Sequence, residues 1–226
     1  MGPLIAMLAA TLAGGSGAET FYRPYAKPDV DFIYNLLFCD DPQLFRRGGA
    51  KPTGPLATVL AKNAPTEELE RIAGADALET RVRVLAYNRL RADNVTVPRG
   101  LLLGVVVEVA MPEGLDVLAA FSDGRIRYIN HIGKLVVIES ATSEMSAEQA
   151  RLMKAAEVAI RRIGPWDKPR LPPPTKGKAR LTFLVSDGLY FGEGAQSAIA
   201  RDQVSGPVFA AASQLLVAVV HASAGH

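Results

Sequence analysis

His131 lies in the segment Asn130-His131-Ile132-Gly133-Lys134, with Tyr128 a few residues before it. Imidazole titrates near neutrality, so a histidine in a turn is where a general base would be sought. A small hydrolase-type centre would use His131 with Tyr128, or with acids brought in from Asp40, Asp41, Asp167 or Glu193. The other two histidines, His221 and His226, fall in and after the last apolar segment. An isolated turn histidine is more often solvated than catalytic.

Other chemistry-bearing residues invite the same comparison. Cys39-Asp40-Asp41 joins a thiol to two carboxylates, but three consecutive residues cannot converge on one metal ion. Adjacent acids also raise a thiol pKa, which disfavours a reactive thiolate. Cys39 is therefore expected to be a buried structural thiol, on the apolar face of its helix. Gly192 and Gly194, in Tyr190-Phe191-Gly192-Glu193-Gly194, follow a strand pattern and precede a helical one, an order that can present backbone N–H groups to a phosphate. The full dinucleotide fingerprint and the Walker-type Gly-Lys-Ser/Thr are both missing. Arg125 and Arg127 share one side of a strand by alternation, as do Lys178 and Arg180. If those strands were neighbours, four cations would share one surface, which otherwise reads as a charged, solvated edge face.

The stretch IGPWDKPRLPPPTKG, residues 163–177, poses the sharpest choice. Trp166, Asp167 and Arg170 make a compact docking surface, and Pro169 to Pro172 forms a PxxP, though without the flanking basic residue its partner modules read. The alternative is a proline-stiffened connector between a helix and a strand, pinned to the core by Trp166.

Composition narrows the partners. Lys and Arg number 25 against 23 Asp and Glu, a formal charge of +2 that supplies no global field for nucleic acid or anionic membrane. Hydrophobic residues make up 49%, enough for a packed core. One cysteine in the chain rules out an intramolecular disulfide and a multi-cysteine zinc site. The composition suits a cytoplasmic protein, and no cofactor or metal is implied. The alternative is export, should the apolar run Leu4–Ala13 serve as a signal core; that run is too short to span a bilayer.

These residues need elements to hold them. Residues 1–20 read as a flexible or helical arm. Residues 21–98 read as helical: Phe32, Ile33, Leu36 and Leu37 cluster at helical spacing, with Asp29 or Asp31 as cap, and Asp76 with Glu79 mimics a capping box before Leu78, Val82, Leu85 and Ala86. From Leu101 the period changes from 3.6 to 2. Four strands ending at Glu139, with Ser122-Asp123-Gly124 as a hairpin turn, predict an antiparallel meander. Ser146 and Gln149 suggest a cap for a helix with the stripe Leu152, Ala155, Ala156, Ala159, Ile160 and Ile163. A second hairpin turns at Ser186-Asp187-Gly188. Pro207 then opens an apolar final helix. The class is α+β, with residues 99–226 as the sheet domain, continuous with 21–98 or separate.

The final helix is apolar almost all round, which suits a homodimer or another protein partner. With no nucleophile–base pair, metal spacing or phosphate loop, the sequence points to a non-catalytic binding or assembly protein acting through protein–protein contacts. The alternatives are the hydrolase at His131 and phosphate or nucleotide sensing at Gly192, Gly194 and the basic strands.

Overall fold

The computed structural model describes residues 21–47 and 51–224. The expected arm at 1–20, its run Leu4–Ala13, and His226 lie outside them. Five helices come first: α1 (Pro28–Leu36), α2 (Leu44–Arg47), α3 (Gly54–Leu60), α4 (Thr66–Gly74) and α5 (Thr80–Ala92). The meander follows as β1 (Leu102–Met111), β2 (Gly114–Phe121), β3 (Ile126–Ile129) and β4 (Leu135–Ile138). Then come α6 (Ser143–Ile160), β5 (Lys178–Val185), β6 (Gly188–Ala195), α7 (Gln196–Arg201) and α8 (Ser205–Ala224).

All six strands form one antiparallel sheet in the order β4-β3-β2-β1-β5-β6. The α+β class thus stands, but the meander and the second hairpin are not separate ribbons, because β5 pairs with β1. That pairing accounts for the apolar run of β1. An interior strand covered on both faces needs apolar side chains at nearly every position rather than at alternate ones. One face of β1, with Val106 and Ala110, meets the core of α1, α3, α4 and α5. The opposite face, with Val105 and Val107, meets α6, α7 and α8. The sheet is the middle of three layers, and the amino-terminal helices share one core with β1 and β2.

Helix ends differ from the sequence expectations. Neither Asp29 nor Asp31 caps α1. Lys27 occupies the cap position and Pro28 starts the helix, which suits the fixed φ of proline. Asp31 instead accepts the Tyr25 backbone N–H at 2.9 Å. Asp76 pairs with Arg83 at 2.7 Å and takes no part in capping α5. The acid at that helix start comes from the β2–β3 turn: Asp123 accepts the Thr80 backbone N–H at 2.8 Å, while Thr80 Oγ1 accepts the Asp123 N–H at 3.0 Å. A reciprocal cap across 43 residues is invisible to local pattern reading. In α6 the cap is Thr142, which accepts the Met145 N–H, and not Ser146. Gln149 is buried and donates to the Phe121 carbonyl at 2.6 Å. Cys39 lies past the end of α1 at φ 54, buried as expected but not on the helix.

Candidate functional site

The connector of residues 163–177 crosses the α1–α5 face of the sheet and is held there by two arginines. Arg170 is buried and turned inward. Its Nε donates to Asp40 Oδ2 at 2.7 Å and its Nη2 to Asn35 Oδ1 at 2.9 Å. Its guanidinium carbon lies 3.9 Å from the centre of the Phe38 ring, a cation–π contact. Tyr22 donates its hydroxyl to the Arg170 carbonyl at 2.6 Å. Arg180, on β5, secures the far end by donating to the carbonyls of Leu171 and Pro172 at 3.1 and 2.6 Å.

A buried charge row lies beneath this strap. The sheet register sets Glu108 of β1 beside Arg180 of β5, and Arg180 beside Glu193 of β6. Arg180 Nε donates to Glu193 Oε2 at 3.0 Å and Arg180 Nη1 lies 3.6 Å from Glu108 Oε2. Tyr34 donates to Glu108 Oε1 at 2.7 Å. Burial pushes the Glu108 carboxyl up, more than the arginine charges and the Tyr34 hydroxyl pull it down. Burial also raises Glu193, but there the hydrogen bonds and charges of Arg180 and Lys178 win, so its pKa falls. Two carboxylate oxygens in this region, Glu108 Oε2 and Asp40 Oδ1, are buried without a hydrogen-bond partner.

Between the strap, the end of α1, α5 and the β5–β6 turn lies a cleft of about 620 Å³. That volume suits a small-molecule ligand. Phe38, Val84 and Leu184 supply apolar walls, and Trp166 and Asp167 stand on the strap side. Trp166 is half-buried: its ring meets Phe191 edge-to-face at 5.0 Å, and its backbone N–H donates to Leu189 at 2.7 Å. The strap is therefore both the expected stiff spacer and one wall of this cleft. Arg170 does not face outward beside Trp166 and Asp167 as a docking surface would need.

His131 and Tyr128 are brought together by a residue the sequence reading missed. Asp116 of β2 accepts the His131 backbone N–H at 2.6 Å, lies 3.2 Å from His131 Nδ1, and is hydrogen-bonded by Tyr128. Burial, then the charge of Asp116, raises the Tyr128 hydroxyl to about 12. The signal was one acid in the otherwise apolar Leu115-Asp116-Val117-Leu118. Asp40, Asp41, Asp167 and Glu193 are not brought to His131: Asp40 serves Arg170, Asp41 caps the turn at Gln43, and Glu193 serves Arg180.

The basic strands are not neighbours. Strands β2 and β1 separate β3 from β5, so the two pairs of cations do not share a surface. Arg127 and Arg180 are buried, and every cation of the two pairs has a carboxylate: Arg125 and Arg127 face Glu139 and Asp123, and Lys178 and Arg180 face Glu193 and Glu108. Gly192 and Gly194 fall within β6, on the sheet face towards α7, so they form no phosphate-cradling turn. Among the described residues no group of three or more His, Cys, Asp or Glu could hold a metal ion.

The cleft also takes in Asn88 and Arg91, which sequence reasoning did not single out, and Asp187, which it read as a turn residue alone. Comparison with known protein families, curated proteins and solved structures found no match to this chain.

Proposed function

We propose that the protein is a non-catalytic binding protein whose ligand enters the cleft between the strap and α5. The observation that carries this reading is the cleft itself. It is the right size for a small ligand, its apolar walls are preformed, and its strap wall is fixed by the buried bonds of Arg170 and Arg180. A pre-fixed wall lowers the ordering cost of binding. A thermal-shift panel of metabolites, nucleotides and metals tests the reading, because a ligand that binds the folded state raises the melting temperature by mass action. Filling the cleft from the turn with Leu189→Trp should abolish the shift. A shift that survives Leu189→Trp would place the site elsewhere.

Assembly through protein–protein contacts is the second half of the proposal. One side of α8 packs on the sheet layer through Val208, Ala212, Leu215 and Val219, while Val217 and Val220 stay 48% and 41% exposed. We propose that this outer side pairs with a second copy. By length and composition α8 also passes as a membrane span, with a mean hydropathy of 1.4. Its buried side suits a covering layer of the sheet instead.

A hydrolase is the competing reading, favoured by the Asp116–His131–Tyr128 grouping. A carboxylate on Nδ1 orients an imidazole for base work. Hydrolysis of any ester or phosphoester that disappears in a folded His131→Ala variant would support it over binding alone.

A further inference from the structure

Arg91 stands apart from the other arginines of the described chain. Buried or half-buried arginines at 81, 83, 89, 125, 127, 170 and 180 each pair with a carboxylate. Arg91 is half-buried and pairs with none among the described residues. Its Nη1 donates to the Ser186 carbonyl at 2.8 Å and its Nη2 to Asn88 Oδ1 at 2.9 Å, both neutral oxygens. Burial lowers its pKa, and the charge of Asp187 only partly offsets this. Asp187 is already engaged, accepting from the Gly100 N–H at 3.1 Å and the Tyr190 hydroxyl at 3.0 Å.

A guanidinium carries five N–H donors in a planar fork, and Arg91 leaves several unused. A partly desolvated cation without a counter-ion is costly, and an anion that reaches it recovers that cost. Arg91 lines the 620 Å³ cleft together with Phe38, Val84, Leu184 and Trp166. Other charges on that cleft are paired, covered or peripheral: Asp40 is ion-paired to Arg170 through Oδ2 and its Oδ1 is buried away from solvent, Lys168 lies over the Trp166 ring, and Asp167 is exposed at the rim.

We propose that the cleft takes a small organic carboxylate, its anionic head on Arg91 and its apolar body between Phe38, Val84, Leu184 and Trp166. This rests on the cleft being the binding site and adds the chemical class of the ligand. Three compounds with one body and three charges test it: 3-phenylpropionate, 3-phenylpropanamide and 3-phenylpropylamine, titrated calorimetrically into the whole protein at neutral pH and low salt. The carboxylate should bind roughly tenfold tighter than the amide or better, with the amine weakest. Arg91→Gln should bring carboxylate and amide within about twofold of one another, and Arg91→Lys should keep part of the preference.

Arg91 also ties the β5–β6 turn to α5, so the ranking in the unaltered protein carries the test should either variant misfold. Equal binding of acid and amide would overturn the assignment to Arg91. If that binding is lost in Leu189→Trp, the cleft survives as the site. Tightest binding of the amine would overturn it in favour of Asp40 or Asp167. No binding by any of the three would overturn the carboxylate assignment, while the metabolite panel tests the cleft separately.

Discussion

Asp123 shows how much one side chain can settle. Its carboxylate caps α5 from the hairpin turn and also accepts from Arg125. Burial pushes its pKa up, but the hydrogen bonds from Thr80 and Arg125 outweigh it, so the folded pKa is lowered. A lowered carboxylate pKa means the unfolded chain binds more protons at acid pH. The stabilisation is therefore complete above the unfolded value of about 4 and fades as pH falls through the folded one. Asp123→Ala should cost about 1–2 kcal/mol at pH 7 by urea unfolding, the range for a lost cap. The loss should shrink below about pH 4. A cost independent of pH would contradict the linkage. The sequence marked Asp123 as a turn residue but could not reveal its partner, because hairpin chemistry is local and the cap is not. Gly114 was equally opaque: a Cβ there would lie 2.3 Å from the His131 carbonyl oxygen, a close approach that no spacing announces.

Elements were legible where a single period governed them. The strand runs, both Ser-Asp-Gly turns and the α6 stripe follow from alternation and helical spacing. Helix starts misled because Asp29, Asp76 and Ser146 have cap chemistry, while α1 begins at Pro28 with Lys27 at its cap position, α5 takes its acid from a distant turn and α6 is capped by Thr142. The strap was legible as a stiff connector, but not as a cleft wall, since nothing local tells Arg170 to turn inward. Its bonds to Asp40 and Asn35 predict that Arg170→Met leaves the Asp40 charge without its partner. Breaking a buried pair of this kind costs about 3–5 kcal/mol. With Asp40 still about a fifth exposed, the unfolding free energy should fall by roughly 2–3 kcal/mol. The emission of Trp166, the single tryptophan of the chain, should shift to the red as the wall loosens. An unchanged midpoint and spectrum would show that Arg170 does not hold the strap.

At the scale of the whole molecule, a sheet covered on both faces leaves two kinds of surface for function: the strap cleft and the outer side of α8. The sequence marked this helix as apolar with a sheet to cover one side only, and about a third of it is buried, against α6 and the sheet. Homodimerisation through that strip predicts that Val217→Glu with Val220→Glu converts a dimer to a monomer by light scattering at micromolar concentration without lowering the melting temperature. A monomer before any substitution would remove the dimer from the account. Candidate site residues were legible only by type. Arg91 lies among arginines at 81, 83 and 89 on one helix, and only the fold shows which of them lacks a carboxylate.

The most direct test follows Trp166 itself. A single indole N–H gives a single cross-peak in a proton–nitrogen correlation spectrum, and that N–H points to the Pro169 carbonyl at 3.0 Å inside the strap. On titration with 3-phenylpropionate, this peak and the backbone amides of residues 184–189 should shift saturably, with those around His131 and along α8 unmoved. Shifts confined to His131 and Asp116, or to the outer side of α8, would contradict the cleft as the ligand site.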